Sequence, residues 1–332
     1  MERYEEIEKS IVTTYRKKIW SKFIKGIKEF EMIQDGDKIA VCISGGKDSM
    51  LLAKCMQELK KHRKMDFELV FLVMDPGYNP VNRQKIINNA KILNIPITIF
   101  DSNIFDVVAK IDDHPCYVCA RMRRGFLYRE AQRLGCNKIA LGHHFDDVVE
   151  TILMGMLYGA QMQTMMPKLH STYHKGMQLI RPLYYVKEDD IIRWAKRNEL
   201  DFIKCACKVT EKNAKSDSNG SKRAEMKDLL NQLRGVYDKV DMNIYNSTKN
   251  VNLNTIISSN IDVDSKLDLK QILFIADAYE KDLLKFDRSF HGNTLSLHND
   301  FILNNNQEIL KYNKELQQKF SCVKNNGYCK YS

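Results

Sequence analysis

The six residues Ser44–Ser49 (Ser-Gly-Gly-Lys-Asp-Ser) constrain the fold of this chain more than any other segment. They follow a short apolar run, Ile39–Ile43, and lead into a segment typical of a helix, Met50–His62. A buried strand, a glycine turn and a helix in this order direct backbone N–H groups and the positive end of the helix dipole at one point. The segment therefore predicts an anion site. Its spacing differs from that of a Walker A loop, which has four residues between its first glycine and Gly-Lys-Ser/Thr.

The loop residues predicted to bind a nucleotide are small or carry hydrogen-bonding groups, so the backbone and side chains can approach a pyrophosphate. They are Ser44, Gly45, Gly46, Lys47, Asp48 and Ser49. A carboxylate is unusual beside phosphates, and Asp48 is therefore predicted to be a catalytic residue that binds Mg²⁺. The alternative is a Gly-Gly turn followed by an ordinary capped helix.

Strand and helix patterns alternate beyond this loop, which predicts an α/β fold with a doubly wound, mainly parallel sheet. The predicted strands are Ile39–Ile43, Leu69–Met74, Ile97–Phe100 and Lys138–Leu141, and the predicted helices are Met50–His62, Asn82–Leu93, Arg123–Leu134 and Asp146–Leu157. Ligands of such sheets bind beyond the carboxyl ends of the strands. The glycine loop, Asp75 and the segment Gly142–Asp147 all follow strands, so we expect them to meet in one crevice.

Two of these segments have both a functional and a structural interpretation. Asp75 is predicted to lie near the adenine and ribose, or else to be a turn residue before Pro76-Gly77. Gly142 and His143 are predicted to contact the nucleotide. Asp146 and Asp147 are predicted to be catalytic, as a second Mg²⁺ site or a general acid/base pair, or else to be acidic residues favoured in the first turn of a helix.

Composition and charge divide the chain into four predicted regions. These are an N-terminal basic helix (1–33), a catalytic α/β domain (34–210), a helical extension (211–260) and a polar tail rich in Asn and Lys (261–332). The net charge of +10 favours a polyanionic partner. An arginine cluster strengthens that interpretation; it comprises Arg121, Arg123, Arg124, Arg129 and Arg133. No apolar run is long enough to span a membrane, and we expect a cytoplasmic protein.

Four of the nine cysteines are grouped in the sequence. Cys116 and Cys119 form a C-x-x-C pair, which is used by redox, zinc and iron–sulfur sites alike. Cys205 and Cys207 follow about ninety residues later, and their alternative interpretation is a pair of buried thiols. Three thiolates with one open position make a poor structural zinc site but suit a [4Fe-4S] cluster that has one iron free for an external ligand.

Several motifs occur in an order that resembles the tRNA 2-thiocytidine synthetase (TtcA) family of the PP-loop ATP pyrophosphatase superfamily, over roughly residues 10–260. They are Ser-Gly-Gly-Lys-Asp-Ser (44–49), Cys-Tyr-Val-Cys-Ala-Arg-Met-Arg-Arg-Gly-Phe-Leu-Tyr (116–128), Gly-His-His-Phe-Asp-Asp (142–147), Met-Pro-Lys-Leu (166–169) and Ile-Arg-Pro-Leu (180–183), with Cys205 following. The combination is far more specific than any single motif.

The resemblance implies a tRNA-cytidine 2-sulfurtransferase. ATP would adenylate the C2 oxygen of an anticodon-loop cytidine, releasing diphosphate, and AMP would leave as sulfur replaces that oxygen. Cys116, Cys119 and Cys205 would bind the [4Fe-4S] cluster, and Arg123 and Arg124 would face the ATP phosphates or the RNA. The implied partners are tRNA and a cysteine desulfurase or another sulfur donor, and a homodimer is compatible with the sequence.

Two departures from the family pattern keep alternatives open. The later cysteines of the family are spaced Cys-x-x-Cys, whereas this chain has Cys205-Ala-Cys207, so Cys207 is an alternative third ligand. The same chemistry on a tRNA uridine or another substrate is the second interpretation. A tRNA-Ile lysidine synthetase would share the loop but would not need the grouped cysteines. The alternative that is not an enzyme is an RNA-binding protein that binds ATP and a cluster without catalysis.

Overall fold

In the described part of the chain, six strands form one sheet in the order β3-β2-β1-β4-β6-β5. The strands are β1 (Asp37–Ile43), β2 (Phe67–Asp75), β3 (Ile97–Asp101), β4 (Lys138–Ala140), β5 (Lys168–His170) and β6 (Gln178–Ile180). All neighbouring strands are parallel except β5 and β6. The apolar run of β1 is buried on both faces, which is typical of a central parallel strand. The predicted doubly wound, mainly parallel sheet is confirmed.

The computed structural model describes residues 2–63, 65–108, 111, 115–203 and 222–251. Cys205, Cys207 and the predicted tail 261–332 lie outside the described residues, as does the segment 204–221. Residues Met1–Lys249 form one compact unit, and all six strands of the sheet belong to it. The second unit, Asn250–Ser332, is described only at its first two residues.

Helices cover the sheet and precede or follow its strands. They are α1 (Arg3–Val12), a π-helical segment (Arg16–Trp20), α2 (Ser21–Glu29), α3 (Lys47–Lys61), α4 (Pro80–Ile92), α5 (Ile104–Val108), α6 (Pro115–Arg133), α7 (Phe145–Gly159), α8 (Glu188–Arg197), α9 (Lys222–Val236) and α10 (Val240–Ser247). Within the described residues, none of these helices has the length and hydrophobicity of a membrane span.

The N-terminal region 1–33, predicted to be a basic helix, is divided into α1, the π-helical segment and α2. Helix α1 ends near Thr13, whose hydroxyl donates to the Lys9 carbonyl at 2.6 Å. The Tyr15 N–H then bonds to the Ser10 carbonyl, and the Trp20 N–H to the Tyr15 carbonyl, which are the wider bonds of a π-helical turn. The apolar side chains on either side of this turn are buried, so both helices pack one face on the core although the helix is divided.

A buried ion pair joins β1 to β4 at the start of the sheet. The Lys138 ammonium donates to the Asp37 carboxylate at 2.5 Å and to the Met32 carbonyl at 3.1 Å. Asp37 also accepts from the Gln34 N–H and the Asn137 amide. Asp37 and Lys138 are only 5% and 2% exposed, so each charge depends on the other for compensation.

Replacing Asp37→Asn would leave the Lys138 ammonium buried without its counter-charge. We expect the free energy of unfolding to fall by about 3–5 kcal/mol, as for other broken buried pairs. Urea denaturation of the full chain measures this loss. Glu68→Gln is the control, because the pair of Glu68 with Lys38 is solvent-exposed and is expected to contribute less than about 1 kcal/mol. Equal losses in the two variants would contradict the buried-pair interpretation.

Candidate active site

The loop between β1 and α3 holds an unusual backbone conformation. Gly45 has φ of +84°, and a Cβ atom there would lie 2.6 Å from Ile86 and 2.8 Å from Ile203. The Ser49 hydroxyl accepts from the Ser44 N–H at 3.1 Å and donates to the Gly46 carbonyl at 2.9 Å. Only glycine fits at position 45 without strain. The loop therefore presents its backbone and the N-terminal N–H groups of α3 in a fixed arrangement, which can bind an anion.

Gly142, at the end of β4, lies directly against the start of α3. A Cβ atom at this position would be 3.0 Å from the Ser49 nitrogen and 3.1 Å from the Asp48 carbonyl carbon. These are backbone atoms, which cannot move aside as a flexible side chain can. The two glycine segments predicted to meet therefore do so, at a distance that excludes any side chain on Gly142.

Lys47 and Asp48 begin α3 and interact with each other. The Lys47 ammonium lies 3.2 Å from Asp48 Oδ2 and 3.0 Å from Glu188 Oε1. Asp48 Oδ1 is buried and has no hydrogen-bond partner among the described residues. Burial raises the pKa of Asp48, although nearby His144 and Lys47 act in the opposite direction. An oxygen acceptor left without a donor fits a cation ligand, and hard cations such as Mg²⁺ prefer carboxylate oxygen.

His144 connects Asp48 to the start of α7. Its Nδ1 accepts from the Asp147 N–H at 3.3 Å, while the Asp147 carboxylate accepts from the His144 N–H at 3.0 Å. The other edge of the ring faces Asp48, with 3.9 Å between Nε2 and Oδ1. His144 and Asp147 thus form a capping box, the helix-terminal role that the sequence offered as the alternative. The same geometry places Asp147 on the Asp48 side of the crevice.

Asp146 and Asp147 are both paired with cations from the helix α9. Asp146 accepts from Arg234 at 2.6 Å and from the Glu188 N–H at 2.7 Å. Asp147 accepts from Arg223 at 3.0 Å. The charges of these two carboxylates are therefore compensated by arginines within the described residues. Asp48, in contrast, has one carboxylate oxygen, Oδ1, without a hydrogen-bond donor there.

Asp75 organises the turn after β2. One of its oxygens accepts from the Gly77 and Tyr78 N–H groups at 2.9 and 2.7 Å, and the other accepts from Arg83 at 2.9 Å. Asp75 is buried, and these contacts are those of the turn interpretation. This turn positions Tyr78, whose hydroxyl donates to the Ser44 carbonyl at 3.2 Å.

The arginine- and cysteine-bearing helix α6 reaches the loop through Tyr78. Arg123 donates to the Tyr78 hydroxyl at 3.4 Å, and Arg124 is exposed. Cys119 is partly buried one turn before Arg123 and packs against the small apolar cluster that contains Met74. Cys116 lies three residues earlier on the same helix, and its side chain, like Cys205 and Cys207, lies outside the described part of the structure. Within the described residues, no group of three or more His, Cys, Asp or Glu side chains has the geometry of a metal site.

The partly buried His143, whose Nδ1 is out of contact with solvent, and the buried Arg181 lie near each other beside the crevice. Burial and the neighbouring Arg181 lower the pKa of His143 to about 4, so its imidazole is neutral at pH 7. Burial lowers the pKa of Arg181 to about 10. The Arg181 guanidinium donates to the Met166 carbonyl and so ties together two of the later motifs, 166–169 and 180–183.

A family model described as a PP-loop domain matches residues 16–213. This chain belongs to the PP-loop family. Similar curated proteins include the tRNA-cytidine(32) 2-sulfurtransferases of Paraburkholderia xenovorans (strain LB400), 36% identical over 230 residues, and Neisseria meningitidis serogroup C (strain 053442), 40% identical over 182 residues. The aligned regions are 68% and 54% of this chain and 66% and 57% of those proteins, so the chain spans less than two thirds of their length. These relatives confirm the resemblance predicted from the motifs.

Among solved structures, the PP-loop chain is similar to the U34-tRNA thiolase NcsA from Methanococcus maripaludis with its [4Fe-4S] cluster. The TM-score is 0.56 at 22% identity, over 76% of this chain and 86% of that one. At this level of identity the similarity concerns the fold.

Four residues around the loop Ser44–Ser49, called the PP-loop below, were not predicted from the sequence. They are Glu188, Arg223, Lys227 and Arg234, and they form ion pairs with the PP-loop, with the acidic start of α7 or with each other. Glu188 carried one weak signal, because an acidic residue is favoured at the start of a helix. The three cations on α9 belong to no motif, and only the packing of α9 on α7 brings them to the crevice.

Replacing Gly142→Ala would push a methyl group into the backbone at the start of α3 and displace the PP-loop. We expect the affinity for α,β-methylene-ATP to fall by about tenfold or more, because small displacements of a binding loop have large effects. Isothermal titration calorimetry measures the affinity. Gly125→Ala on α6 is the matched control, since a Cβ atom there meets nothing within 4 Å. Unchanged affinity in Gly142→Ala would show that the close approach does not shape the site.

Proposed function

We propose that this chain is an ATP-dependent tRNA sulfurtransferase, which adenylates the C2 oxygen of an anticodon-loop cytidine and replaces it with sulfur. The names of the curated relatives support this proposal. The observation that carries it is that helix α6, which bears Cys116 and Cys119, and the described residue Ile203 both reach the PP-loop. Arg123, one turn beyond Cys119, contacts Tyr78, which bonds to Ser44. Ile203, two residues before Cys205, packs over Gly45.

The proposed first step is attack by the cytidine C2 oxygen on the α-phosphorus of ATP. The bond from that phosphorus to the β-phosphate oxygen breaks, and diphosphate leaves. In this proposal the PP-loop backbone and Lys47 bind the phosphates, and Arg123 and Arg124 contribute positive charge from α6. Asp48 would hold Mg²⁺, because its Oδ1 has no donor among the described residues. His144, Asp146 and Asp147 would line the crevice beside the PP-loop.

The proposed second step is attack at C2 by sulfur at the sulfide oxidation level. The C2–S bond forms, the C2–O bond breaks, and AMP leaves with the former C2 oxygen. Adenylation makes this exchange feasible because an amide-like carbonyl oxygen is a poor leaving group and AMP is a good one. A bound [4Fe-4S] cluster would supply an open iron site for the sulfur. Its proposed ligands are Cys116, Cys119 and either Cys205 or Cys207. Cys116 and Cys119 fit this role on α6, because residues three apart share one face of a helix.

The remaining proposals concern partners and organisation. The net charge of +10 supports tRNA as the substrate, and a cysteine desulfurase or another donor would supply the sulfur. In the proposed domain organisation, the region 211–260 contributes α9 and its cations to the site formed by 34–210. The regions 1–33 and 261–332 precede and follow these two in the sequence. We further propose a cytoplasmic location.

Nucleoside analysis of tRNA from a strain that lacks this gene tests the substrate. We expect 2-thiocytidine to disappear and to return on complementation with the wild-type chain. A complementing Asp48→Asn variant should restore little or none, because it removes the proposed cation ligand. Loss of a thiouridine instead would assign the same chemistry to a uridine. Unchanged 2-thiocytidine in the deletion strain would reject the proposed substrate.

Anaerobic purification tests the cluster ligands. Cys119→Ala should lose the visible absorbance, iron and acid-labile sulfide of the wild type, but should still bind α,β-methylene-ATP. Of the variants Cys205→Ala and Cys207→Ala, only one should lose the cluster. Cys136→Ala is the control, since Cys136 is a buried thiol packed on β4. A colourless zinc protein with full thiolation activity would refute the cluster.

A further inference from the structure

The ammonium of Lys47 is held by two carboxylates from different parts of the fold. It lies 3.2 Å from Asp48 Oδ2, its neighbour in sequence, and 3.0 Å from Glu188 Oε1, at the start of α8. An ammonium group has three N–H bonds. Two of them have acceptors within the described residues, which leaves the third for a phosphate oxygen. The two carboxylates thus restrict a side chain that otherwise rotates freely on a four-carbon stem.

Glu188 is itself fixed at several points. Its Oε2 accepts from Lys227 on α9 at 2.6 Å, and its backbone N–H donates to Asp146 at 2.7 Å. Its side chain is only 14% exposed. Burial would raise the pKa of Glu188, but the hydrogen bonds from Lys227 and Lys47 prevail and lower it to about 2. Glu188 is therefore ionised at neutral pH and held in one place.

We propose that Glu188 is a positioning residue for the PP-loop lysine, which it aims at the phosphates of ATP. This inference rests on the proposed ATP-dependent function. In the proposed reaction, Glu188 contacts no reacting atom and acts only through Lys47. Without the ion pair, Lys47 keeps its charge and its contact with Asp48 but loses one of its two fixed partners.

Positioning predicts a split between nucleotide affinity and reaction rate. Glu188→Gln removes a negative charge beside an anion site, so nucleotide binding is not weakened by electrostatics. A less ordered Lys47 stabilises the transition state less well. We expect the affinity for α,β-methylene-ATP to stay within about threefold of wild type, or to tighten, while the rate of AMP formation with tRNA falls by about tenfold.

A double-mutant cycle with Lys47→Met tests whether Glu188 acts through Lys47. Rates are measured as single-turnover formation of AMP from ATP labelled at the α-phosphate, with tRNA as substrate. If Glu188 acts only through the lysine, Glu188→Gln should have no further effect when Lys47→Met is present. The matched control is Glu58→Gln at the far end of α3, whose side chain is equally exposed at 14% and pairs with Lys61. It should change neither rate nor affinity.

Three outcomes would overturn the positioning role. They are equal rate losses from Glu188→Gln with and without Lys47→Met, no rate loss at all, and a loss of affinity that matches the loss of rate. If Lys47→Met is too slow to measure, the split between affinity and rate decides. If Glu188→Gln does not fold, Glu188→Asp, which shortens the side chain and keeps the charge, replaces it in the cycle. A wild-type chain that forms no AMP and diphosphate with tRNA would instead refute the proposed function, not the role of Glu188 alone.

Discussion

The close backbone contact between Gly142 and the start of α3 is the constraint on which the site depends. The contact brings the segment after β4 against the first turn of α3, whose N–H groups form part of the predicted anion site. Because β1 and β4 are neighbours in the sheet, the loops that follow them would meet in any case. The absence of a side chain at Gly142 sets how closely they meet. Two residues after Gly142, His144 caps the start of α7, and its ring faces Asp48.

The buried charges around this contact connect elements that are distant in sequence. Lys47, Glu188 and Lys227 form one chain of ion pairs, and Asp146, Arg234 and Asp241 form another. Asp146 joins the two, because it accepts from the Glu188 N–H. Breaking one pair in such a chain leaves a poorly solvated charge on its neighbour. The position of α9 is therefore linked to that of the PP-loop through fixed side chains.

The sequence predicted the sheet and the crevice but not the residues that complete the crevice. The strands β1 to β4 have apolar runs with clear boundaries, and their loops carry glycine and acidic residues whose chemistry is recognisable. The strands β4, β5 and β6 have three residues each, but only β4 continues into an apolar run, Ile139–Leu141. The sequences of β5 (Lys-Leu-His) and β6 (Gln-Leu-Ile) are too short and too polar to show a pattern. Helix α6 begins at Pro115, eight residues before the predicted start at Arg123. Proline in the first turn of a helix favours this start, but the sequence prediction began the helix only after the C-x-x-C pair. The partners of Asp146 and Asp147 come from α9, and no local pattern reveals a contact across seventy or more residues.

The charge balance of the crevice supports a role for a divalent cation in nucleotide binding. The carboxylates there are Asp48, Asp146, Asp147, Glu150 and Glu188, and the cations paired with them are Lys47, Arg223, Lys227 and Arg234. Burial, followed by repulsion from Asp147, raises the pKa of Glu150 to about 7, although Arg223, His144 and Lys227 act in the opposite direction. A triphosphate adds several negative charges to a site whose cations are already engaged. Apart from the third N–H of Lys47 and the backbone N–H groups of the loop, phosphate binding draws cations away from carboxylates or brings a metal ion with it. A metal ion would preserve the ion pairs that hold α9. In the proposed function, Asp48 Oδ1, which has no donor among the described residues, would bind that ion.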